Sequence, residues 1–148
     1  MSQANVDIAR RAFAAWVSGD VAGMLESLHS DLITTRPEID LESFHGPKGL
    51  LQVIAEWTEN FREFKATDEE YIDANDHQVI IRVRQSAVGA ESGAPVVGEF
   101  WFLSTFEDGK IVRLDMYPRE APALEAAAQP RKGSENRGDQ GRREDAGR

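Results

Sequence analysis

The chain has 148 residues, of which 41% are hydrophobic, and its formal net charge is −9. That length and apolar content suffice for one domain with a buried core. The sequence contains no cysteine, which excludes disulfides, thiolate metal sites and cysteine nucleophiles. No stretch approaches the ~18 apolar residues of a membrane span, and the first residues lack a signal-peptide pattern. We therefore expect a cytoplasmic protein.

The negative charge is concentrated before residue 129. Residues 1–128 hold 11 Lys and Arg against 22 Asp and Glu, whereas residues 129–148 hold 6 against 4. Because an acidic domain repels phosphate backbones, we do not expect nucleic acid as a partner. The segment 129–148 has no aromatic residue and no aliphatic residue larger than Ala. It cannot offset the entropy lost on ordering, so we predict one domain over 1–128 and a disordered polar tail over 129–148.

The first part of the chain has helical periodicity. Residues 4–18 place apolar side chains, including Phe13 and Trp16, on one stripe. Gly19 suits the C-terminal cap of this helix and Asp20 the N-cap of the next. The apolar spacing extends that second helix to Leu28.

A short strand and a third helix follow. We predict the strand over residues 32–35 and a loop over residues 38–45, which is mostly polar. Pro47 opens the third helix because proline is tolerated in a first turn. The apolar stripe of that helix includes Ile54 and Trp57, and its spacing carries the helix to Phe61.

The pattern changes to long strands at about residue 63. We predict four strands separated by turn residues, and a last short helix over residues 119–128. The four strands cover residues 61–74, 77–90, 95–106 and 110–118. Helices followed by a meander of strands predict an α+β domain, in which a curved antiparallel sheet wraps around the N-terminal helices.

Three segments resemble the SnoaL-like branch of the nuclear transport factor two-like (ketosteroid isomerase-like) superfamily. They are AFAAWVSGDVAGMLESLHSDL, FHGPKGLLQVIAEW and FEDGKIVRLDMYPREAPALEAA, and the resemblance covers residues 5–127. It implies a cone-shaped, cystatin-like α+β barrel with an apolar pocket between sheet and helices, and a homodimer formed through the outer face of the sheet. Since that superfamily includes isomerases, cyclases, epoxide hydrolases and non-catalytic binders, the fold does not determine an activity.

Two of the chemistries that the resemblance implies lack their residues in this sequence. Ketosteroid isomerase-like members need a Tyr on the first helix, which has none here, and an Asp-Pro where this chain has Arg36-Pro37. Limonene-epoxide-hydrolase-like members carry an Asp seven residues after the turn glycine, where this chain has Met116. Their inner strand also supplies an Arg and a second Asp. The corresponding segment here offers Arg82 and Arg84 without an acid.

SnoaL-like polyketide cyclases use an acid–base Asp in the pocket, and Asp115 is the only acid in the interior of the last strand. Its orientation depends on the preceding turn. A three-residue loop over 107–109 predicts pairing of Phe102 with Leu114 and of Phe100 with Met116.

That register creates an apolar face that comprises Phe100, Phe102, Val112, Leu114 and Met116. The opposite face then carries Glu99, Trp101, Arg113, Asp115 and Tyr117. A two-residue loop would mix the phenylalanines with Arg113 and Asp115, and a buried unpaired carboxylate is destabilising by several kcal/mol. We therefore predict that the apolar face forms the pocket wall and that Asp115 points outward beside Arg113.

Eight apolar residues are candidates for substrate binding: Phe13, Trp16, Ile54, Trp57, Phe100, Phe102, Leu114 and Met116. The four on helices are either core residues or ligand contacts. Arg82 and Arg84 share one strand face, which is either solvated or paired in a dimer, or else holds an anionic ligand in the pocket. Asp115, Asp40 and Glu99 are weak candidates for a catalytic acid–base group.

His29, His45 and His77 do not share a metal-ligand spacing, so we expect no metal, and no motif implies a cofactor.

Three hypotheses remain for the function. The first is a protein of unassigned activity that binds a small hydrophobic molecule in an aromatic-lined pocket. The second is an isomerase, cyclase or hydrolase that acts on a hydrophobic polycyclic or terpenoid-like substrate. The third is a non-catalytic dimeric interaction module that uses the sheet face and the basic tail.

Overall fold

A computed structural model of the chain describes residues 3–129. The helices are α1 (Gln3–Ser18), α2 (Val21–Glu26), α3 (Gly46–Thr58) and α4 (Glu120–Ala128). The strands are β1 (Leu28–Thr35), β2 (Ser43–His45), β3 (Phe61–Asn75), β4 (Gln78–Gly89), β5 (Pro95–Glu107) and β6 (Lys110–Tyr117). Except for Gln129, the predicted tail lies outside the described residues.

The six strands form one curved sheet in the order β2-β1-β6-β5-β4-β3. All neighbours are antiparallel except β1 and β6, which run parallel. The predicted α+β class, a curved sheet with N-terminal helices, is confirmed. None of the helices in the described part of the chain is long and apolar enough to cross a membrane.

The junction between α1 and α2 has the predicted caps. Gly19 adopts φ +82°, a left-handed conformation that glycine adopts readily, and the Asp20 carboxylate accepts a hydrogen bond from the Gly23 amide at 2.9 Å.

The predicted extension of α2 to Leu28 is wrong. The Ile111 amide donates to the Ser27 carbonyl at 2.8 Å, and Leu28 pairs with Ile111. Pairing with a distant strand therefore overrides the local helical spacing.

Two other boundaries differ from the prediction. The expected loop over residues 38–45 contains strand β2, in which Phe44 is buried and pairs with Thr34. The third helix ends at Thr58, before Phe61, which instead begins β3 opposite Gly89. Phe44 thus gains a position in the sheet that its local sequence did not indicate, whereas Phe61 belongs to the strand that was predicted from residue 61 and not to the helix.

The hairpin between β5 and β6 has a tighter turn than predicted. Glu107 pairs with Lys110, so the loop is Asp108-Gly109, and both residues have positive φ (52° and 75°), as in a two-residue hairpin turn. The predicted three-residue loop is wrong. The pairing then shifts at a bulge on β6, between the pairs Thr105–Arg113 and Phe106–Ile111.

The bulge preserves the predicted faces in a different register. Phe102 pairs with Met116, not with Leu114, so the register differs from the prediction by two residues. Because side chains alternate with period two, a shift of two leaves each residue on its predicted face. The exception is at the bulge, where Ile111 takes the inner position that was predicted for Val112.

The sheet packs on both faces. Its inner face meets α1 and α3 in the main hydrophobic core, and its outer face is covered at one end by α4. The main core is built around Val6, Ala9, Phe13, Leu28, Leu32, Leu50, Val79, Ile81, Val83, Phe102, Phe106 and Ile111. The smaller core comprises Ile80, Leu103, Tyr117, Ala123 and Ala127.

Candidate functional site

A cavity of about 100 Å³ lies between the inner face of the sheet and helices α1 and α3. One water needs about 10–15 Å³ in such a cavity, so this one has room for more than a single water. Its wall is almost entirely apolar. The lining residues are Ala9, Ala12, Phe13, Trp16, Met24, Leu28, Arg36, Ile39, Leu50, Val53, Ile54, Trp57, Thr58, Ile81, Gln85, Phe100, Phe102, Ser104, Ile111, Leu114 and Met116.

All eight residues proposed from the sequence for substrate binding line this cavity. Their aromatic rings pack against one another. Trp57 meets Phe100 edge-on with ring centroids 5.3 Å apart, and Phe13 meets Trp16 in the same way at 5.3 Å. The structure thus brings the predicted residues together, and their contact with a ligand stays a prediction.

Sequence reasoning missed the polar residues of the wall, Arg36, Thr58, Gln85 and Ser104. Strand periodicity contained a signal for two of them. Gln85 follows Ile81 and Val83 at alternate positions of β4, and Ser104 follows Phe102 on β5. A polar residue on an otherwise apolar strand face is therefore a sequence signal for a polar group in the cavity wall.

Gln85 is hydrogen-bonded to one of the aromatic residues of the wall. The indole N–H of Trp57 donates to Gln85 Oε1 at 2.9 Å, which joins α3 to β4. Gln85 is 7% exposed. Its amide nitrogen has no hydrogen-bond acceptor within residues 3–129, yet it is not sealed from solvent. The amide therefore retains two N–H donors at the cavity wall.

Ser104 is the second polar group of the wall that lacks a partner. It is 2% exposed, and its hydroxyl makes no hydrogen bond to any described residue. Gln85 pairs with Gly98, six positions before Ser104 on β5. At about 3.3 Å per residue, the two positions lie ~20 Å apart along the strand. The cavity therefore has a polar group near each end and aromatic rings between them.

Arg36 lies in the wall beside a cluster of carboxylates. Its Nη2 is 2.7 Å from Asp40, 3.8 Å from Glu42 and 3.7 Å from Glu56, and the guanidinium lies 4.8 Å from the centre of the Phe44 ring. Within the described chain its Nε is buried without a partner. Three carboxylates around one guanidinium leave this part of the site with a negative charge.

The three candidate acid–base residues lie outside the cavity wall. Asp115 is on the outer face, where it accepts hydrogen bonds from the Thr35 hydroxyl and, at 3.0 Å, from Arg113 Nε. Asp40 is bound to Arg36, and Glu99 is 2.9 Å from Arg82 on the outer face. Met116, next to Asp115 in sequence, lines the cavity instead.

Arg82 and Arg84 also lie on the outer face, since they pair with Trp101 and Glu99 of β5. Arg82 lies between Glu70 at 3.3 Å and Glu99 at 2.9 Å. The hydrogen bond that Arg82 donates to Glu70, followed by the one that it donates to Glu99, raises the pKa of the Arg82 guanidinium. The interpretation of Arg82 or Arg84 as a pocket arginine is therefore wrong, because Arg36 is the arginine of the wall.

The chemistry that this wall offers is apolar contact together with a few polar groups, of which only Arg36 among the described lining residues is charged. None of the described residues that line it is Asp, Glu, His or Tyr. Within the described residues there is also no group of three or more His, Asp or Glu arranged to hold a metal ion.

The chain matches the family model of the SnoaL-like domain over residues 9–114. A search of the curated proteins finds no match. A comparison with solved structures finds proteins that share the fold of this chain. A protein from Jannaschia sp. CCS1, provisionally designated a SnoaL-like polyketide cyclase, is 18% identical with a TM-score of 0.69, and the match covers 87% of this chain and 95% of that one.

Two further structures are similar at low sequence identity. TerC, co-crystallised with polyporic acid, is 17% identical with a TM-score of 0.69, and the match covers 86% of this chain and 100% of TerC. A protein from Catenulispora acidiphila with a ketosteroid isomerase-like fold, in complex with trimethylamine, is 13% identical with a TM-score of 0.65, over 88% of this chain and 96% of that one. At these identities they establish the fold alone. Together with the family match, they show that the chain belongs to the SnoaL-like domain family, on the nuclear transport factor two-like fold.

Proposed function

We propose that the protein binds a small hydrophobic molecule in the cavity between the sheet and helices α1 and α3, and that it does so in the cytoplasm. The observation that carries the proposal is the wall itself, which is mostly apolar, rich in aromatic rings and includes a few polar groups. Ligand sites in proteins have this composition. The co-crystallisation of the structural neighbour TerC with polyporic acid also supports a ligand in this fold.

Acid–base catalysis by an isomerase, cyclase or hydrolase has less support. A general base must lie within about 2.6–3.2 Å of the proton that it removes, or reach it through one water. Asp115 and Glu99 lie on the outer face of the sheet, and Asp40 is bound to Arg36. None of these carboxylates belongs to the wall of the cavity, so the wall favours binding over proton transfer as the primary role.

The test of the binding proposal uses 2-isopropylnaphthalene as a probe and isothermal titration calorimetry as the measurement. Wild-type protein should bind it, and Leu114→Trp should abolish binding because the indole occupies the cavity. Leu124→Trp makes the same change on α4, where Leu124 is 42% exposed and lies away from the cavity. It should leave binding unchanged. If wild-type protein does not bind the probe, or if both variants bind it equally, the proposal fails.

We also propose that a second copy of the chain pairs with the outer face of the sheet. Helix α4 covers only one end of that face. The rest carries Arg82 and Arg84 near Glu99, with Val97 59% exposed. Light scattering of the full chain should give a dimer, and Arg84→Glu should shift it toward monomer because it adds negative charge to the pairing face of both copies, which already carries Glu99. A monomer at all concentrations would contradict the pairing.

A further inference from the structure

Resting on the proposed function, we propose that Gln85 makes the cavity selective for ligands that carry a neutral hydrogen-bond acceptor such as a ketone oxygen. Trp57 is the positioning residue that holds the amide in the orientation required. The ligand class is thus an apolar, ring-sized molecule with a carbonyl group, in preference to a pure hydrocarbon or a carboxylate.

The orientation of the amide follows from the chemistry of its partner. An indole N–H can only donate a hydrogen bond, whereas a glutamine amide has one accepting oxygen and one donating nitrogen. The Trp57 N–H lies 2.9 Å from Gln85, so the oxygen must face Trp57. The NH₂ group then presents only donors on its other side. A bound molecule with an acceptor satisfies that group, and one without an acceptor leaves it unsatisfied.

The free amide makes this a site for a ligand and not only a link within the fold. Gln85 is 7% exposed and belongs to the cavity wall, and its nitrogen makes no hydrogen bond to residues 3–129. Buried polar groups in proteins almost always have a partner. A donor left open beside apolar side chains is the arrangement expected where the partner comes from a bound molecule.

The charge around the cavity favours a neutral acceptor over an anionic one. Arg36 is the basic residue of the described wall; its Nε has no described partner, but its Nη2 is already 2.7 Å from the Asp40 carboxylate. Glu42 and Glu56 lie 3.8 and 3.7 Å from the same guanidinium. A ligand carboxylate would be repelled by this excess of negative charge, although water partly screens the exposed carboxylates. A ketone oxygen accepts the Gln85 N–H without that repulsion.

The first experiment ranks three probes of similar size on the wild-type protein by calorimetry. The probes are 2-acetylnaphthalene, 2-isopropylnaphthalene and 2-naphthoate. One neutral hydrogen bond should make the ketone bind about three- to tenfold more tightly than the hydrocarbon. The carboxylate should bind most weakly. A hydrocarbon or naphthoate that binds as tightly as the ketone overturns the inference, and this ranking does not depend on any variant.

The second experiment changes the amide. Gln85→Met removes the donor at similar size and should abolish the preference for the ketone. Gln85→Glu keeps an oxygen for Trp57 and replaces the donor by an acceptor, so ketone affinity should fall about tenfold more than hydrocarbon affinity. Gln3→Glu adds the same charge on the exposed surface of α1 and should change neither the ketone affinity nor the hydrocarbon affinity.

The outcomes separate the two proposals. Binding of the hydrocarbon probe by each variant shows that the cavity is folded and intact. If both probes bind the wild type but Gln85→Met and Gln85→Glu keep the ketone preference, the inference about Gln85 is wrong and the proposed binding function stands. If the wild type binds none of the probes, the proposed function is wrong, and the inference fails with it.

Discussion

The two faces of the sheet differ in how most of their polar groups are satisfied, although the Trp101 N–H of the outer face is buried without a described partner. On the outer face the Asp115 carboxylate accepts from Thr35 and Arg113, and Arg82 lies between two acids. On the inner face the Gln85 oxygen accepts a hydrogen bond from Trp57, whereas the Gln85 nitrogen and the Ser104 hydroxyl make no hydrogen bond to a described residue. Satisfied charges are typical of structural surfaces, whereas open neutral donors beside a cavity are typical of ligand sites.

The two faces should also respond differently to truncation. Leu103 is 1% exposed on the outer face and packs in the core beneath α4. Leu103→Ala should lower the free energy of unfolding by about 2–5 kcal/mol, because it removes buried contacts and leaves a void. Chemical denaturation measures the loss, and the affinity for 2-isopropylnaphthalene should stay unchanged. A large loss of affinity would show that the faces are not independent.

Asp115 tests whether the outer carboxylate is structural. Asp115→Asn weakens the charge-assisted hydrogen bonds from Thr35 and Arg113, and hydrogen bonds to charged groups contribute about 1.5–3 kcal/mol each. Unfolding in urea should show a loss of at most that size. Probe binding should not change, because the side chain lies across the sheet from the cavity. Loss of binding with unchanged stability would instead support a catalytic or ligand role for Asp115.

A smaller effect is expected from Ser104, an inner-face residue whose hydroxyl makes no hydrogen bond to a described residue. Ser104→Ala should change the free energy of unfolding by less than about 1 kcal/mol, because it removes a buried polar group that makes no hydrogen bond to the described chain. Thermal unfolding measures the change. Thr105→Ala on the outer face is the matched comparison, because the Thr105 hydroxyl accepts from Gln78 at 3.0 Å and its loss should be more destabilising. The reverse order would contradict the comparison.

Both faces contain a tyrosine that should make the protein sensitive to alkali. Burial, followed by the hydrogen bond to Asp68, raises the pKa of inner-face Tyr71, and burial followed by the charge of Asp115 raises the pKa of outer-face Tyr117. The folded state therefore holds these protons when the unfolded state has lost them. The contribution of the two tyrosines to stability should be constant below about pH 10, and stability should fall above that pH.

Tyr71→Phe should make the decrease in stability above pH 10 less steep, because only one of the two tyrosines then releases a proton on unfolding. The measurement is the free energy of unfolding in urea from pH 8 to pH 11. Tyr117→Phe is the matched change on the outer face and should reduce the slope in the same direction. An unchanged slope in both variants would contradict the raised pKa values.

The smallest expected effect is at the ion pair between the loop after β1 and the start of α4. Arg119 donates to Glu38 at 2.9 and 2.7 Å, and this hydrogen bond is the main cause that lowers the pKa of the Glu38 carboxyl. Its contribution is present above the ordinary carboxyl pKa and lost as pH falls through the lower folded value. Arg119→Ala should therefore reduce stability slightly at pH 7 and not at pH 2. An equal loss of stability at pH 7 and at pH 2 would contradict the assignment of this contribution to the ion pair.

The sequence by itself determined the features that depend on local chemistry and on period two. Gly19 and Asp20 predicted a helix junction because a left-handed glycine and a capping carboxylate need only their neighbours. The alternation of Phe100 with Phe102, and of Leu114 with Met116, predicted the inner face because that alternation survives a shift of two residues. Three quoted segments were enough to indicate the family.

Only the tertiary structure decided the features that depend on a distant partner. Leu28 left its helical pattern because it pairs with Ile111, and the bulge on β6 set a register that the turn sequence did not reveal. The role of Gln85 belongs to the same class. Its amide is oriented by Trp57, 28 residues earlier in the chain, and only folding places an aromatic donor against that strand and leaves a nitrogen open beside the cavity.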